Sequence, residues 1–522
     1  MDGKEGAPYA RDAANRGTSS RPTPATLVGE FRRISHVITW RCILLGENAL
    51  TKFTLRWARR MGALAAMWLS CIVAFSGTAS GQGNLAKLPG LTELQQPTAT
   101  AVNVACVQFG PSGYVANPQG TPAERLFYTC RVMVQTANQL SGSGLTANSL
   151  NISNPELRTG VQAVSDVQGN AQKQIGIEAA KISPIGSRLF DLRSGARGLV
   201  VGVNGDQTQP SQRSLAQGAA GDKATGGGAS ADAAMDDRWG SFVNVGYNWG
   251  KVDETTLQDP YKFGSFNVLA GLDYRLTDSL VVGGAFSYSD THSDYEQSLG
   301  NVKAATIGAA GYATWYSANW YVDGFLAYGN VDYDSTRIIF IPSNSSTPAI
   351  NTTATSKPKG DQWSMSIGVG ANYETGGMTV TPTARLGYIW VKNKAFSEEE
   401  PINGLGLAVD ARTLESFQSA LGVKLATVVS AASGVFVPYV SAQWMHEFKN
   451  DSPSIISKYV NDPFNTFFAI PTANPTRDYA VLVAGSSVTF PNNFSGFVQF
   501  SAALGLSDQT VYGAVLGVRK QF

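Results

Sequence analysis

Charged side chains are scarce in the C-terminal half of this sequence. Seven recur where an alternating strand would aim them inward: Asp273, Arg275, Asp323, Glu374, Arg385, Glu415 and Glu447. Carboxylates and guanidiniums lining a closed sheet can pair with one another, or hold a chain segment that threads the interior. They can equally stand solvated in a polar lumen, and the residues alone leave both readings open. Catalysis is a third use of such groups. His446 adjoins Glu447, but neighbours on a strand point to opposite faces, so the two do not share a site. Parity places His446 outward with Trp444 and Phe448, and His292 lies near a strand end facing water. The chain has no Gly-x-Ser-x-Gly elbow, no Gly-Asp-Ser-Leu start, no His-Glu-x-x-His pair and no phosphate loop. The expectation is a protein that is not an enzyme and carries no cofactor and no metal.

Downstream of residue 81 only Cys106 and Cys130 occur. In an oxidising periplasm a disulfide is their natural pairing, and two buried free thiols are the other reading. Too few His accompany them for a structural zinc site.

The hydrophobic pattern specifies the scaffold that positions these groups. Phe266, Val268, Ala270, Leu272, Tyr274 and Leu276 share one face, with Asn267, Gly271, Asp273 and Arg275 on the other. Trp363, Met365, Ile367 and Val369 likewise oppose Ser364, Ser366, Gly368 and Gly370. The final run sets Tyr512, Leu516, Val518 and Phe522 outward, with Phe522 at an interfacial girdle. A soluble sheet would carry Lys and Glu freely on its polar face. Here that face is Gly, Ser, Thr and Asn, in a chain with 55 Gly and only 15% charged residues. The apolar faces end in Trp or Tyr, as a headgroup girdle requires.

These features predict an all-β membrane protein whose C-terminus is an antiparallel outer-membrane β-barrel of twelve strands. The strands fall at roughly 237–251, 263–277, 280–296, 301–318, 320–339, 360–376, 378–396, 411–430, 434–450, 476–490, 494–510 and 511–522. Short links alternate with long ones at 341–360, 397–410 and 450–475, the asymmetry of periplasmic turns and external loops.

Three segments precede the barrel domain, 237–522. Residues 1–81 form an extension and a secretory signal: Lys52, Arg56, Arg59 and Arg60, then the apolar Met61 to Phe75, then small residues, with cleavage expected near Ala79 to Gly81. Residues 82–203 read as a short, mainly helical region. Thr121-Pro122-Ala123-Glu124 is a capping box opening a helix toward Gly142, and Asn154-Pro155-Glu156 opens another. Residues 204–236 are a Gly, Ala and Ser-rich linker long enough to thread a pore. Without residues 1–81 the chain holds 29 basic against 34 acidic residues, a net charge of −5. No basic face remains for nucleic acid.

Trp239-Gly240, Ala270-Gly271-Leu272-Asp273-Tyr274, Gly283-Gly284-Ala285-Phe286, Trp444-Met445-His446-Glu447-Phe448 and the terminal Gly517-Val518-Arg519-Lys520-Gln521-Phe522 together resemble the translocator barrel of the autotransporters, the type V secretion family. The resemblance covers a little over half the chain. It implies a pore in the outer membrane of a Gram-negative bacterium with loops at the cell surface. It further implies outer-membrane lipid, the Sec translocon and the barrel assembly machinery as partners, the last recognising the terminal strand. An N-terminal passenger would be carried outward, and any surface ligand is unknown. Two departures stand out. Lys520 occupies a position usually aromatic or aliphatic, and residues 82–203 lack the Gly and Asn-rich repeats of a β-helical passenger. Three functions follow. The barrel anchors and translocates the short N-terminal region; or it is an adhesion or interaction barrel with a periplasmic or pore-plugging helical region; or, remotely, it is a membrane hydrolase.

Overall fold

The computed structural model describes residues 84–165, 238–296, 299–317, 319–490 and 494–521. The extension and signal 1–81, the helical pattern beyond residue 165, the 204–236 linker and Phe522 lie outside the described residues.

Twelve strands form the barrel: β1 (Trp239–Val252), β2 (Tyr261–Thr277), β3 (Leu280–Tyr295), β4 (Gly300–Tyr316), β5 (Trp320–Ile341), β6 (Lys359–Ala371), β7 (Met378–Asn393), β8 (Arg412–Thr427), β9 (Gly434–Glu447), β10 (Asp478–Thr489), β11 (Phe494–Leu504) and β12 (Gln509–Gln521). Each pairs antiparallel with the next, and β12 returns to β1 in unbroken register from Gly240 opposite Gln521 to Val252 opposite Gln509. The closed sheet therefore has no edge. The sequence placed these strands to within a few residues, except at the last turn. There β11 stops at Leu504, and the chain reverses through Gly505 (φ 79°) and Asp508 (φ 56°). Continuous alternation had hidden a left-handed turn that Gly and Asp tolerate.

Alternation sorts side chains between lipid and lumen. Phe286, Ile307 and Leu516 are 77%, 67% and 58% exposed on the outer face, while Asn244, Asn267, Thr314 and Gln418 are buried on the inner one. Aromatic pairs bracket the apolar band. Trp239 with Tyr274 and Trp315 with Trp320 lie at the short-turn end; Trp249 with Tyr512 and Tyr328 with Trp363 lie toward the long-loop end. Lys520 holds its ammonium 4.2 Å from the Phe494 ring centroid, so the departure from an apolar terminal pattern is absorbed at the interface. Past the upper rings the outer face becomes charged, as in Lys251–Asp253 at 2.8 Å and Lys394–Asp361 at 3.1 Å.

Among the described residues, the region before the barrel holds three α-helices, α1 (Gln95–Phe109), α2 (Pro122–Ser141) and α3 (Asn154–Ala163). Helix α2 starts where the capping box says. The Thr121 N–H donates to Glu124 Oε2 at 2.8 Å, the Glu124 N–H donates back to Thr121 Oγ1 at 3.4 Å, and Gly142 ends the helix with φ 68°. Helix α1 was not evident from sequence. It packs against both other helices and a loop strand through one face, Thr98, Ala101, Val102, Ala105 and Phe109, whose mostly small side chains contrast little with the exposed Val104 and Val107. Cys106 of α1 and Cys130 of α2 are joined by a disulfide, with Cα atoms 5.8 Å apart.

The long loops are structured. Strands Phe396–Ser397, Leu407–Val409, Ile455–Tyr459 and Phe468–Ile470 combine two of them into a four-stranded lobe. Ile350–Ser356 pairs with the upper part of β5 as an arm rising past the barrel. The helices rest on this lobe and arm. Phe109 meets Phe464 edge-on at 5.4 Å, Thr129 Oγ1 donates to the Asn403 carbonyl at 3.2 Å, and the Asn344 N–H donates to the Leu150 carbonyl at 2.8 Å. Gly404 (φ 73°) permits the approach, because a Cβ there would lie 2.6 Å from the Pro122 carbonyl oxygen.

A bridge spanning 24 residues restricts the unfolded chain by about 3 kcal/mol. Replacing both Cys106 and Cys130 by Ala should therefore speed proteolysis of residues 84–165. The heat-dependent gel shift of the folded barrel should not change.

Candidate functional site

The lumen wall carries the same ion-pair device twice. Asp273 of β2 and Arg519 of β12 meet at 3.1 Å above Gly240 of the intervening β1. Asp323 of β5 and Arg385 of β7 meet at 2.8 Å above Gly368 of β6, and Arg385 also donates to Ser366 Oγ at 2.9 Å. The middle residue has to be glycine. A Cβ at Gly240 would sit 2.8 Å from Asp273 Oδ1, and one at Gly368 would sit 2.9 Å from Arg385 Cζ. Each guanidinium thus lies along the wall, bridging alternate strands. Arg519 alternates with the outward Val518 on the final run, and its partner Asp273 lies 246 residues away in sequence.

The other charges expected in the lumen differ in placement. Arg275 faces inward and donates to the Tyr316 hydroxyl and, at 3.4 Å, to the Asp278 carbonyl. Glu447 is inward and fully buried. It accepts from Ser416 Oγ (2.5 Å), Phe417 N (2.8 Å), Gln418 Nε2 (2.8 Å) and Lys449 N (3.0 Å), so it staples β8 to β9. Glu374 is exposed in the short strand Tyr373–Thr375, because the alternation of β6 ends at Ala371. Glu415 is not a lumen residue. Arg412, Leu414, Ser416 and Gln418 are the inward positions of β8, which turns Glu415 outward to the Tyr388 hydroxyl and to Lys449 Nζ at 2.6 Å. His446 bonds Asp478 at 2.8 Å beside Phe448, away from Glu447. On the terminal strand Tyr512, Leu516 and Val518 face outward. No cluster of three or more metal-binding side chains occurs among the described residues.

At the long-loop end the interior changes chemistry. Val252, Tyr261, Tyr295, Val302, Val331 and Tyr333 are buried apolar residues at the upper ends of β1 to β5, continuous with the core of the three helices and the loop lobe. Arg337 is locked within this layer. It is 0% exposed and pairs with Glu398 (5%), donating also to the Ala163 carbonyl at the end of α3 (2.8 Å) and to the Leu405 carbonyl (3.0 Å). Glu398 further accepts from Leu407 N at 2.8 Å. Neighbouring Glu400 accepts from Ile402, Asn403 and Leu405 N–H groups at 2.7 to 2.9 Å. The Tyr459 hydroxyl points to the Val164 carbonyl at 3.5 Å, and burial pushes its pKa up. Asp259, in the β1–β2 loop, is buried with Oδ2 unpaired. Burial, aided by the nearby Glu254 charge, raises its pKa to about 7.

The Autotransporter beta-domain family matches residues 241–501. Among solved structures, the chain is similar to the translocator domain of autotransporter NalP from Neisseria meningitidis, with 16% identity, a TM-score of 0.44, and coverage of 55% of this chain and 89% of that one. It is similar to the beta domain of the Bordetella autotransporter BrkA, with 18% identity, a TM-score of 0.41, and 55% and 100% coverage. It is also similar to the transport unit of autotransporter AIDA-I from Escherichia coli, with 15% identity, a TM-score of 0.38, and 56% and 93% coverage. No curated protein sequence matches the chain.

Two outcomes follow. Gly368→Val should force Arg385 off Asp323, costing on the order of 3 kcal/mol for a separated buried pair. The readout is a lower temperature for loss of the folded-barrel gel band. Asp259 binds its proton more tightly folded (about 7) than at its ordinary value of 3.8. Its contribution is complete below about pH 4 and falls as pH rises to 7, by up to about 4 kcal/mol. Hydrogen exchange in loop 253–260 should accelerate across that range, and Asp259→Asn should flatten the dependence.

Proposed function

Since this chain belongs to the autotransporter family and its C-terminal half is an outer-membrane translocator domain, we propose that the barrel carries its own short helical region to the outer face and holds it there. One observation carries the reading. The helices rest at the long-loop end, whereas the barrel's first strand starts at the opposite end, with Trp239 opposite Tyr274. The chain between residues 165 and 238 has to connect those two ends. The 14 residues of β1 run about 45 Å along the strand, which a tilt of about 40° reduces to roughly 35 Å of barrel height. Outside that wall lies hydrocarbon, which a Gly, Ala and Ser-rich segment cannot cross with its backbone unpaired. The proposed route is therefore the polar lumen. Extended residues span roughly 3.3 Å each, so residues 166–237 have ample reach.

The long loops accordingly face the cell exterior in this reading, and the N-terminal signal directs the chain through the Sec translocon. The outward Tyr512, Leu516 and Val518 present the terminal strand to the barrel assembly machinery. The helical region is small, disulfide-bridged and free of catalytic motifs, so its role outside is as a surface unit together with the loop lobe. Whatever ligand it meets would approach the exposed side of that lobe.

Labelling of intact cells tests the proposal. An epitope inserted in the exposed turn at residues 143–145 should be reached by antibody without permeabilisation. Labelling that appears only after the outer membrane is opened would overturn it and place the helices on the periplasmic side.

A further inference from the structure

We infer that the helical unit seals the barrel, acting as a seated stopper that keeps ions and small hydrophilic solutes from passing while it is docked. The inference rests on the placement of the helices at the long-loop end, but not on which side of the membrane that end faces.

The argument starts from the change in wall chemistry along the lumen. A conducting pore needs polar groups or water along its whole length, because each unsatisfied polar group or ion in an apolar layer costs several kcal/mol. The lower wall meets that need with Asn244, Asn267 and the two Asp–Arg pairs. The mouth does not. Val302, Val331 and Tyr333 point inward there, each at most 3% exposed, and the helices and loop lobe bury them in one continuous core. Water is excluded from the mouth along the β1 to β5 side of the wall, the side on which the helices and lobe sit.

The stopper is also fastened by more than apolar contact. Arg337 joins the arm, the loop lobe and the last turn of α3 through four hydrogen bonds, from a site with no solvent exposure. Separating α3 from the barrel would break the charge-assisted bond from Arg337 to the Ala163 carbonyl, while Glu398 and Leu405, on the barrel's own loops, stay with the guanidinium. Beside it Gly160 of α3 lies flat on Ile341 at the tip of β5. A Cβ there would meet Ile341 Cδ1 and Cγ1 at 2.9 Å.

The test uses the full chain in planar bilayers and in liposomes swollen by a small sugar, with limited proteolysis of residues 84–165 reporting docking. Gly160→Leu is a wedge at the seam, and Ile341→Ala in the same chain makes room for it. Arg337→Ala is a second route to loosening that does not rely on steric overlap. Wild-type protein should show background flux and slow proteolysis. Gly160→Leu or Arg337→Ala should raise both, with solute flux up at least about tenfold, and the Gly160→Leu/Ile341→Ala pair should return both toward wild type. The folded-barrel gel shift must persist in every variant scored. Open conductance by wild-type protein with its helices protease-resistant would overturn the inference. So would loosened helices without added flux, or unchanged proteolysis in both loosening variants. Orientation in the bilayer does not enter these readouts, so failure here leaves surface display standing, and failure of cell labelling leaves the seal standing.

Discussion

Hydrocarbon offers a backbone no hydrogen-bond partner, so a sheet placed in it has to close, and the ladder between β12 and β1 is where this one does. Thirteen consecutive residue pairs along that seam bring the two ends of the barrel sequence together at the short-turn end. Much else follows from closure. Strand number is even, the long loops gather at the opposite end, and parity on every strand is locked to an inside and an outside. The place where the helices enter the barrel segment is set by the same seam, because β1 can start only where β12 ends.

Within the closed wall two interiors with different physics coexist. In the lower part, charges lie flat against the sheet, each Asp–Arg pair occupying the space that a glycine on the middle strand leaves open. That arrangement neutralises the charges without filling the lumen. In the upper part the inward residues are apolar, and the chain covers them with its own helices and loops. The Arg337–Glu398 pair within that cover is a costly feature for stability alone, since apolar side chains of similar size would pack there at no desolvation cost. Its geometry ties three separate chain segments to one arrangement, a role in specificity of docking.

The loop lobe shows why a small helical region can be held at all. Three helices with one disulfide bury little core of their own. Apolar residues from Leu405 to Ile470 extend that core, and the arm of β5 supplies Ile339, Ile341 and Ile350. Helix stability here is mostly borrowed from the barrel's loops, consistent with short helices gaining their stability from tertiary packing.

Local pattern was enough for the strands, the facing of Asp273, Asp323, Arg385 and Tyr512, the capping box of α2 and the start of α3, and the barrel architecture, because each depends on a period of two or on contacts three or four residues apart. Glu415 was misassigned because a strand's inward parity depends on where it starts, and β8 begins at Arg412 after a long loop that resets the count. Helix α1, the pairing of Asp273 with Arg519, the four-stranded lobe and the Arg337–Glu398 lock depend on residues tens to hundreds of positions apart. Those were decided only by tertiary structure: closure of the sheet and burial of the mouth create neighbours that no local periodicity encodes.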